Sequence, residues 1–263
     1  MGSALKETLR SLLSMDNTLY VGLSRQMTLQ RSLDITANNI ANMDTAGFKA
    51  ETLMVQTDAQ TPALAPATQP IQYVIDNGVA RNFGQGSLDQ TGNPFDVAIE
   101  GSGFFTIQTA SGPRYTRDGR FTVDPTGKLT DKQGDPVLGA GGSTIALDPA
   151  NGVASIAKDG TISQTTPQGQ TVQVGKLAVV RFTDLTALSK EGDNLYSAAA
   201  GQTPNPAPDA QIHQGTVEKS NVQGVAEITR LIDITRAYER ITNMISQTQD
   251  LSDTAIQRLG KAA

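Results

Sequence analysis

The chain has no cysteine, no tryptophan and a single histidine in 263 residues. Without thiols, neither a disulfide scaffold nor a thiolate metal site can form. The one imidazole, His213, lies in a Pro-rich stretch, a poor setting for a Ser-His-Asp arrangement, whose base must be oriented by a third group. Any metal would be left to carboxylates, and the aspartates mostly sit in turn dipeptides such as Asp118-Gly119 and Asp159-Gly160. No apolar run approaches the roughly 18 residues that a bilayer-spanning helix requires, so no membrane span is expected. With a net charge of -5 and none of the 21 basic residues gathered into a run, nucleic acid and acidic lipid surfaces are disfavoured as partners. Gly127-Lys128 lacks the following Ser or Thr of a phosphate loop, and Gly139-Ala140-Gly141-Gly142 leads into strand pattern rather than helix. The expectation is a protein with no catalytic, metal or cofactor site.

Apolar residues make up 38 % of the chain, enough for a real but modest core. From Leu19 to Ile40, the positions Leu19, Leu23, Gln26, Gln30, Leu33, Ala37 and Ile40 alternate in steps of four and three. That is a heptad seam with two polar interruptions, and it predicts a helix ending near Met43. Gly47 supplies the positive φ that a helix end or the turn beyond it needs. At the other end, Ser220 and Gln223 have capping-box spacing. Leu231, Ile234, Tyr238, Ile241, Ile245, Thr248, Ser252, Ala255 and Leu259 keep the same alternation, predicting a long closing helix.

Two Pro/Ala/Gln-rich joints, 57–72 and 197–211, cannot continue a helix because Pro62, Pro66, Pro70, Pro204, Pro206 and Pro208 interrupt them. Between them the pattern is β. Phe95, Val97 and Ile99 alternate, and turn signals recur at Ser111-Gly112, Asp118-Gly119, Thr126-Gly127, Gln133-Gly134, Asn151-Gly152, Asp159-Gly160 and Gln168-Gly169. The expected fold class is therefore α+β, with N- and C-terminal helices paired in a coiled-coil-like domain, extended connectors and a central all-β domain. A seam carrying Gln26, Gln30, Thr248 and Ser252 buries less apolar surface than a self-sufficient helix pair wants, so the helices are read as packing on partners. An ordinary intramolecular two-helix stalk fits the spacing equally well. The Asn38-Asn39-Ile40-Ala41-Asn42 cluster reads either as helix-end capping or as an amide network fixing register between subunits.

Residues 37–42 (Ala-Asn-Asn-Ile-Ala-Asn), followed by Thr45-Ala46-Gly47-Phe48-Lys49, resemble the N-terminal signature of flagellar rod and hook proteins. Two further blocks agree in order: Phe95 to Phe105 with Tyr115 to Phe121, then Ser220-Asn221-Val222 through Glu227 to Arg236-Ala237-Tyr238-Glu239. The resemblance runs from about Met15 onward, and Met15 to Val21 is similar to the start of proximal-rod members.

The resemblance implies an axial structural subunit exported by the flagellar type III apparatus without a cleaved signal peptide. The start of the chain agrees, since Lys6, Glu7 and Arg10 break up any signal-type apolar region. It further implies placement in the periplasmic rod that transmits torque, beside copies of itself and FlgC-like and FlgG-like neighbours. The implied domains are an extension at 1–14, an assembly domain of 15–46 with 220–263, connecting segments at 47–84 with 197–219, and an outer β-domain at 85–196. The residues expected to pack between subunits are Leu19, Leu23, Leu33, Asn38, Asn39, Ile40, Asn42, Gly47 and Phe48, with Asn221, Val222, Val225, Leu231, Ile234, Tyr238, Ile241 and Ile245. Two alternatives stay open, another axial subunit of the same family (distal rod or hook) and a periplasmic glycan-binding β-module. The second draws little support from a chain with no Trp and five Tyr.

Overall fold

The computed structural model describes residues 2–60 and 71–262, with side-chain surroundings for 19–56, 77–254 and 256–257. Helix α1 spans Gly2–Ala41 and helix α2 spans Gly224–Ala262, with seventeen short strands between them among the described residues. The fold is thus α+β with a helix at each end. Pro62, Pro66 and Pro70 lie outside the described residues.

The chain divides into two compact units. One is made of residues 1–40, 51–80 and 223–263; the other of 41–50 and 81–222. In the first, the strands Glu51–Gln60 and Ile71–Arg81 form a two-stranded sheet, so the described ends of the segment read as the first connector, 57–60 and 71–72, belong to paired strands. α2 starts four residues after Ser220, so Gln223 rather than Ser220 precedes its first turn. The Gln223 carbonyl accepts the Glu227 N–H at 3.0 Å, while Ser220 Oγ accepts the Val222 N–H in a turn before the helix. The expected capping box is therefore not formed. Glu227 in the first turn instead sets a carboxylate where the helix dipole favours one.

The second unit is built from antiparallel ladders. Its largest sheet has six strands in the order Leu188–Lys190, Leu195–Ala198, Gly112–Thr116, Phe104–Thr109, Val179–Arg181 and Asn205–Pro206. Side chains alternate across a strand, so Phe104 faces an aromatic cluster with Tyr115, Phe182, Leu188 and Tyr196. Its neighbours Phe105 and Ile107 face the main core of Val97, Ile99, Phe121, Leu129, Val137 and Ile162. Tyr115 and Phe182 meet edge to face at 4.7 Å, the geometry aromatic quadrupoles prefer.

Turn glycines do most of what their dipeptides suggest. Gly112, Gly127, Gly134, Gly160 and Gly169 all take positive φ. Asp118-Gly119 is different, because the constraint at Gly119 is close approach: its Cα lies against the strand Val97–Glu100, whose Val97 N–H donates to the Gly119 carbonyl at 2.9 Å. The segment read as the second connector also contributes strands. Asn205–Pro206 joins the six-stranded sheet, Gln211–Gln214 pairs with Val97–Glu100, and Thr216–Glu218 pairs with Leu88–Gln90. Prolines at 204, 206 and 208 forbid helix but not an edge strand.

A Cβ on Gly119 would stand 1.7 Å from the Val97 carbonyl oxygen, a backbone atom that cannot yield. Gly119→Ala is expected to cost about 3 kcal/mol or more, measured as a fall in the urea midpoint, whereas Gly134→Ala pays only for its positive φ.

Candidate assembly interface

The two helices touch along one face in reverse order. Gly22 is buried where a Cβ would lie 3.1 Å from Ile245 Cγ1. Gln26 Nε2 donates to the Tyr238 hydroxyl at 3.1 Å and to Thr242 Oγ1 at 3.4 Å, and Asn39 Nδ2 donates to Glu227 Oε2 at 3.2 Å. Partner numbers fall as α1 advances, so these contacts are antiparallel. Of the residues read as a seam, Leu19, Gln26, Leu33, Ile40, Leu231, Ile234, Tyr238, Ile241 and Ile245 are half-buried while Leu23, Gln30 and Ala37 are exposed; Thr28, Leu29 and Thr36, which the seam reading left out, are buried.

A second stripe points to solvent. Tyr20, Leu23 and Met27 are 64 %, 50 % and 65 % exposed on α1, and Val225, Ile228 and Ile232 are 83 %, 47 % and 47 % exposed on α2. Both triplets have the spacing i, i+3, i+7, which puts their members on one helix face. Leu23 and Val225 were among the sequence-selected positions; Tyr20, Met27, Ile228 and Ile232 were not. The signal was available, because a helix that is apolar on two faces has a second periodic set beside its seam.

The asparagines divide by role. Asn39 is fully buried. Its Nδ2 also donates to the Glu51 carbonyl at 2.8 Å, and its Oδ1 accepts the Glu51 N–H at 2.9 Å. The amide thereby pairs with Glu51 as a neighbouring strand would, and it is spent inside the chain. Asn42 accepts the Thr45 hydroxyl at 3.2 Å in the turn after α1, the capping role, and Asn38 is exposed. In the other unit, Asn221 Oδ1 accepts the Ala50 N–H at 2.8 Å while its Nδ2 donates to the carbonyls of Asn82 and Gly84. Val222 beside it is half-buried. Phe48 is 1 % exposed, with Lys190 Nζ 4.4 Å above its ring. Gly47 takes φ +71° where a Cβ would meet the Asp118 nitrogen at 2.4 Å.

Next to Gly47 and Phe48 lies a buried ionic cluster absent from the sequence reading. Lys49 Nζ donates to Glu218 Oε1 at 2.6 Å, and Arg117 Nη1 donates to Oε2 at 3.2 Å. The side chains of Lys49 and Glu218 have no exposed surface, and that of Arg117 is 4 % exposed. Glu218 also takes the Gly86 N–H on Oε1 and the Gly47 N–H on its backbone carbonyl, both at 2.8 Å. Lys49 and Arg117 each reach one carbonyl besides, of Gly84 and Gly101. Burial pulls the Lys49 ammonium and the Arg117 guanidinium below their usual pKa values, and the Glu218 charge offsets this only in part. The one sequence clue was Lys49, which follows Ala46-Gly47-Phe48 directly; nothing in the charged run 117–120 marked Arg117 as buried.

The remaining chemistry-bearing residues are used structurally. His213 Nε2 lies 2.6 Å from Glu100 Oε2, a diagonal pair across the strands Gln211–Gln214 and Val97–Glu100. Asp159 accepts the hydroxyl and N–H of Thr161 and is held at about 2 by those bonds and by Lys176. Among the described residues, no group of three or more metal-ligating side chains is assembled and no helix is long and apolar enough to cross a membrane. Tyr20, on α1, is the one aromatic among the large exposed apolar side chains of the described residues.

Two helices that bracket the β-rich segment in chain order, meet each other on one face and carry exposed apolar side chains on another are the organisation of a structural subunit. The chain belongs to the flagellar basal-body rod protein family. Its residues 19–49 match the family model for flagella basal body rod protein, 98–164 that for the flagellar hook protein FlgE/F/G D1 domain, and 213–258 that for the flagellar basal body rod FlgEFG protein C-terminal region. It is 52 % identical to flagellar basal-body rod protein FlgF of Caulobacter vibrioides over 248 residues, 94 % of this chain and 99 % of that protein. It is 38 % identical to FlgF of Mesorhizobium japonicum over 251 residues, with the same coverage. Identity to FlgG of Bacillus subtilis is 31 % over 254 residues, 89 % of this chain and 96 % of the relative.

Asn39→Ala would leave the Glu51 N–H and carbonyl and one Glu227 oxygen without their partner. The expected cost is about 2–4 kcal/mol, read from the urea midpoint.

Proposed function

We propose that this chain is a structural subunit of the proximal flagellar rod that joins its neighbours through the outer apolar stripes of α1 and α2. The observation that carries this reading is the exposure of Tyr20, Leu23 and Met27 with Val225, Ile228 and Ile232, six large apolar side chains at helical spacing on helices whose other faces meet. Burying each stabilises by about 1–2 kcal/mol, so burying all six offers on the order of 6–12 kcal/mol against an association cost of about 4–15 kcal/mol. A single neighbour is marginal by that comparison, and several neighbours at once are not. This suits a subunit that orders in a growing lattice rather than one that dimerises in solution.

In this reading the helical unit, 15–46 with 220–263, is the assembly domain and its inner seam a coiled-coil-like pairing. Leu19, Leu33, Ile40, Leu231, Ile234, Tyr238, Ile241 and Ile245 hold the seam while Leu23 and Val225 meet neighbours. Asn39, Asn42, Gly47, Phe48, Asn221 and Val222 fix the backbone that carries these surfaces. The partners are copies of this chain and FlgC-like and FlgG-like rod subunits. Delivery is by the flagellar type III export apparatus without a cleaved signal peptide, and the finished periplasmic rod transmits torque. The FlgF and FlgG relatives, which align over most of the chain, support this placement.

The test is complementation of a deletion strain, scored by swimming and by electron microscopy of basal bodies. Val225→Asp with Ile228→Asp is expected to leave circular dichroism unchanged and the urea midpoint nearly so, because Val225 is 83 % and Ile228 47 % exposed, and to abolish swimming with rods halted at their proximal part. His213→Ala is expected to swim normally, since its ring serves a surface pair. Swimming by the double variant would remove the outer stripe from the interface, and rods halted distally would move the subunit to the distal level.

A further inference from the structure

The ionic cluster draws on three distant parts of the chain, and its composition is unbalanced. Two cations, Lys49 and Arg117, share one carboxylate, and that carboxylate belongs to a residue near the end of the β-rich unit. Glu218 collects four donors in all: the Lys49 ammonium, the Arg117 guanidinium and the N–H groups of Gly47 and Gly86. Arg117 Nε is buried without a hydrogen-bond partner, and besides Glu218 the guanidinium meets only the Gly101 carbonyl and the Phe104 ring, neither of which carries a full negative charge. Breaking a buried pair by removing one member typically costs about 3–5 kcal/mol, and here one removal strands two cations. Folded domains hold a margin of only about 5–15 kcal/mol.

We propose that Glu218 is a closing latch, which keeps the β-rich unit from reaching its packed state until the chain has been delivered through residue 218. In a chain that emerges from its N-terminus, Lys49 and Arg117 arrive first. Closing the unit around them, with Arg117 over the Phe104 ring at 5.4 Å, would bury two charges with no counter-ion. The strands Gln211–Gln214 and Thr216–Glu218, which pair with Val97–Glu100 and Leu88–Gln90, arrive together with the anion. Core and latch therefore close as one event, and a partly delivered chain stays open. The device works by charge balance and needs no chaperone surface or ligand.

Native-state hydrogen exchange on the full chain tests this directly. The Ile212, Lys219 and Gly47 amides, which donate to the carbonyls of Lys158, Ser87 and Glu218, report the latch; the Leu129, Val137 and Leu138 amides, bonded to Ile145, Leu129 and Thr106, report the core. Both sets are expected to open together, with protection factors within about threefold of each other. Latch amides opening a hundredfold or more readily than the core would overturn the proposal, since the core would then persist without Glu218. In the triple variant Lys49→Met, Arg117→Met, Glu218→Met the charge requirement is gone, and the two sets are expected to separate by at least tenfold. Continued coincidence in a folded triple variant would show that coupling comes from strand pairing alone. If the triple variant fails to fold, the wild-type exchange pattern still decides. Glu218→Asp, which keeps the anion, is expected to lie closer to the wild-type urea midpoint than Glu218→Gln, and the reverse order would also refute the latch.

Discussion

One carboxylate ties together four segments of the β-rich unit. Glu218 neutralises part of the charge on Lys49 and Arg117, and its oxygens anchor the backbone at Gly47 and Gly86. These contacts join the segment after α1, the loop before Leu88–Gln90, the strand end at Arg117 and the last strand of the unit. A buried pair of this kind is weak evidence for stability, because apolar replacement can be as good. Its value lies in what it demands, which is that four segments separated widely in sequence be present together. The sharp turn at Gly47 and the burial of Phe48 follow from that demand.

The helical unit is organised by a different balance. Its inner face includes polar contacts, Gln26 with Tyr238 and Asn39 with Glu227, that a purely apolar seam would lack. Polar pairs cost stability and fix register. The outer face is apolar and open. A helix pair that is aligned within the chain yet under-stabilised by it is suited to gaining its remaining burial from neighbours.

The α+β class, the helices and most turns were legible in the sequence because each rests on local periodicity or on a residue with special backbone freedom. Leu19 to Ile40 and Leu231 to Ile245 announce helices by spacing alone. What escaped was non-local. Periodicity could not separate the inner face from the outer, so Leu23 was grouped with a seam that it does not join, and Met27 and Ile228 went unnoticed. The paired strands at 205–218 were hidden by prolines that also fit a linker. Gly119 read as a turn residue, yet the reason for it is the oxygen of Val97, a contact no dipeptide encodes. Lys49, Arg117 and Glu218 are 68 and 101 residues apart in sequence, and three charges so separated read as surface until the fold brings them inside.

The antiparallel course of α1 and α2 carries an electrical consequence. Each helix has a macrodipole worth roughly half an elementary charge at either end, and at 40 and 39 residues the two are nearly equal in length and opposed in direction. Within one subunit they largely cancel. The helix pair therefore carries almost no net dipole along its length, and a charge placed beyond the end where α1 stops and α2 starts meets an acceptor end and a donor end side by side.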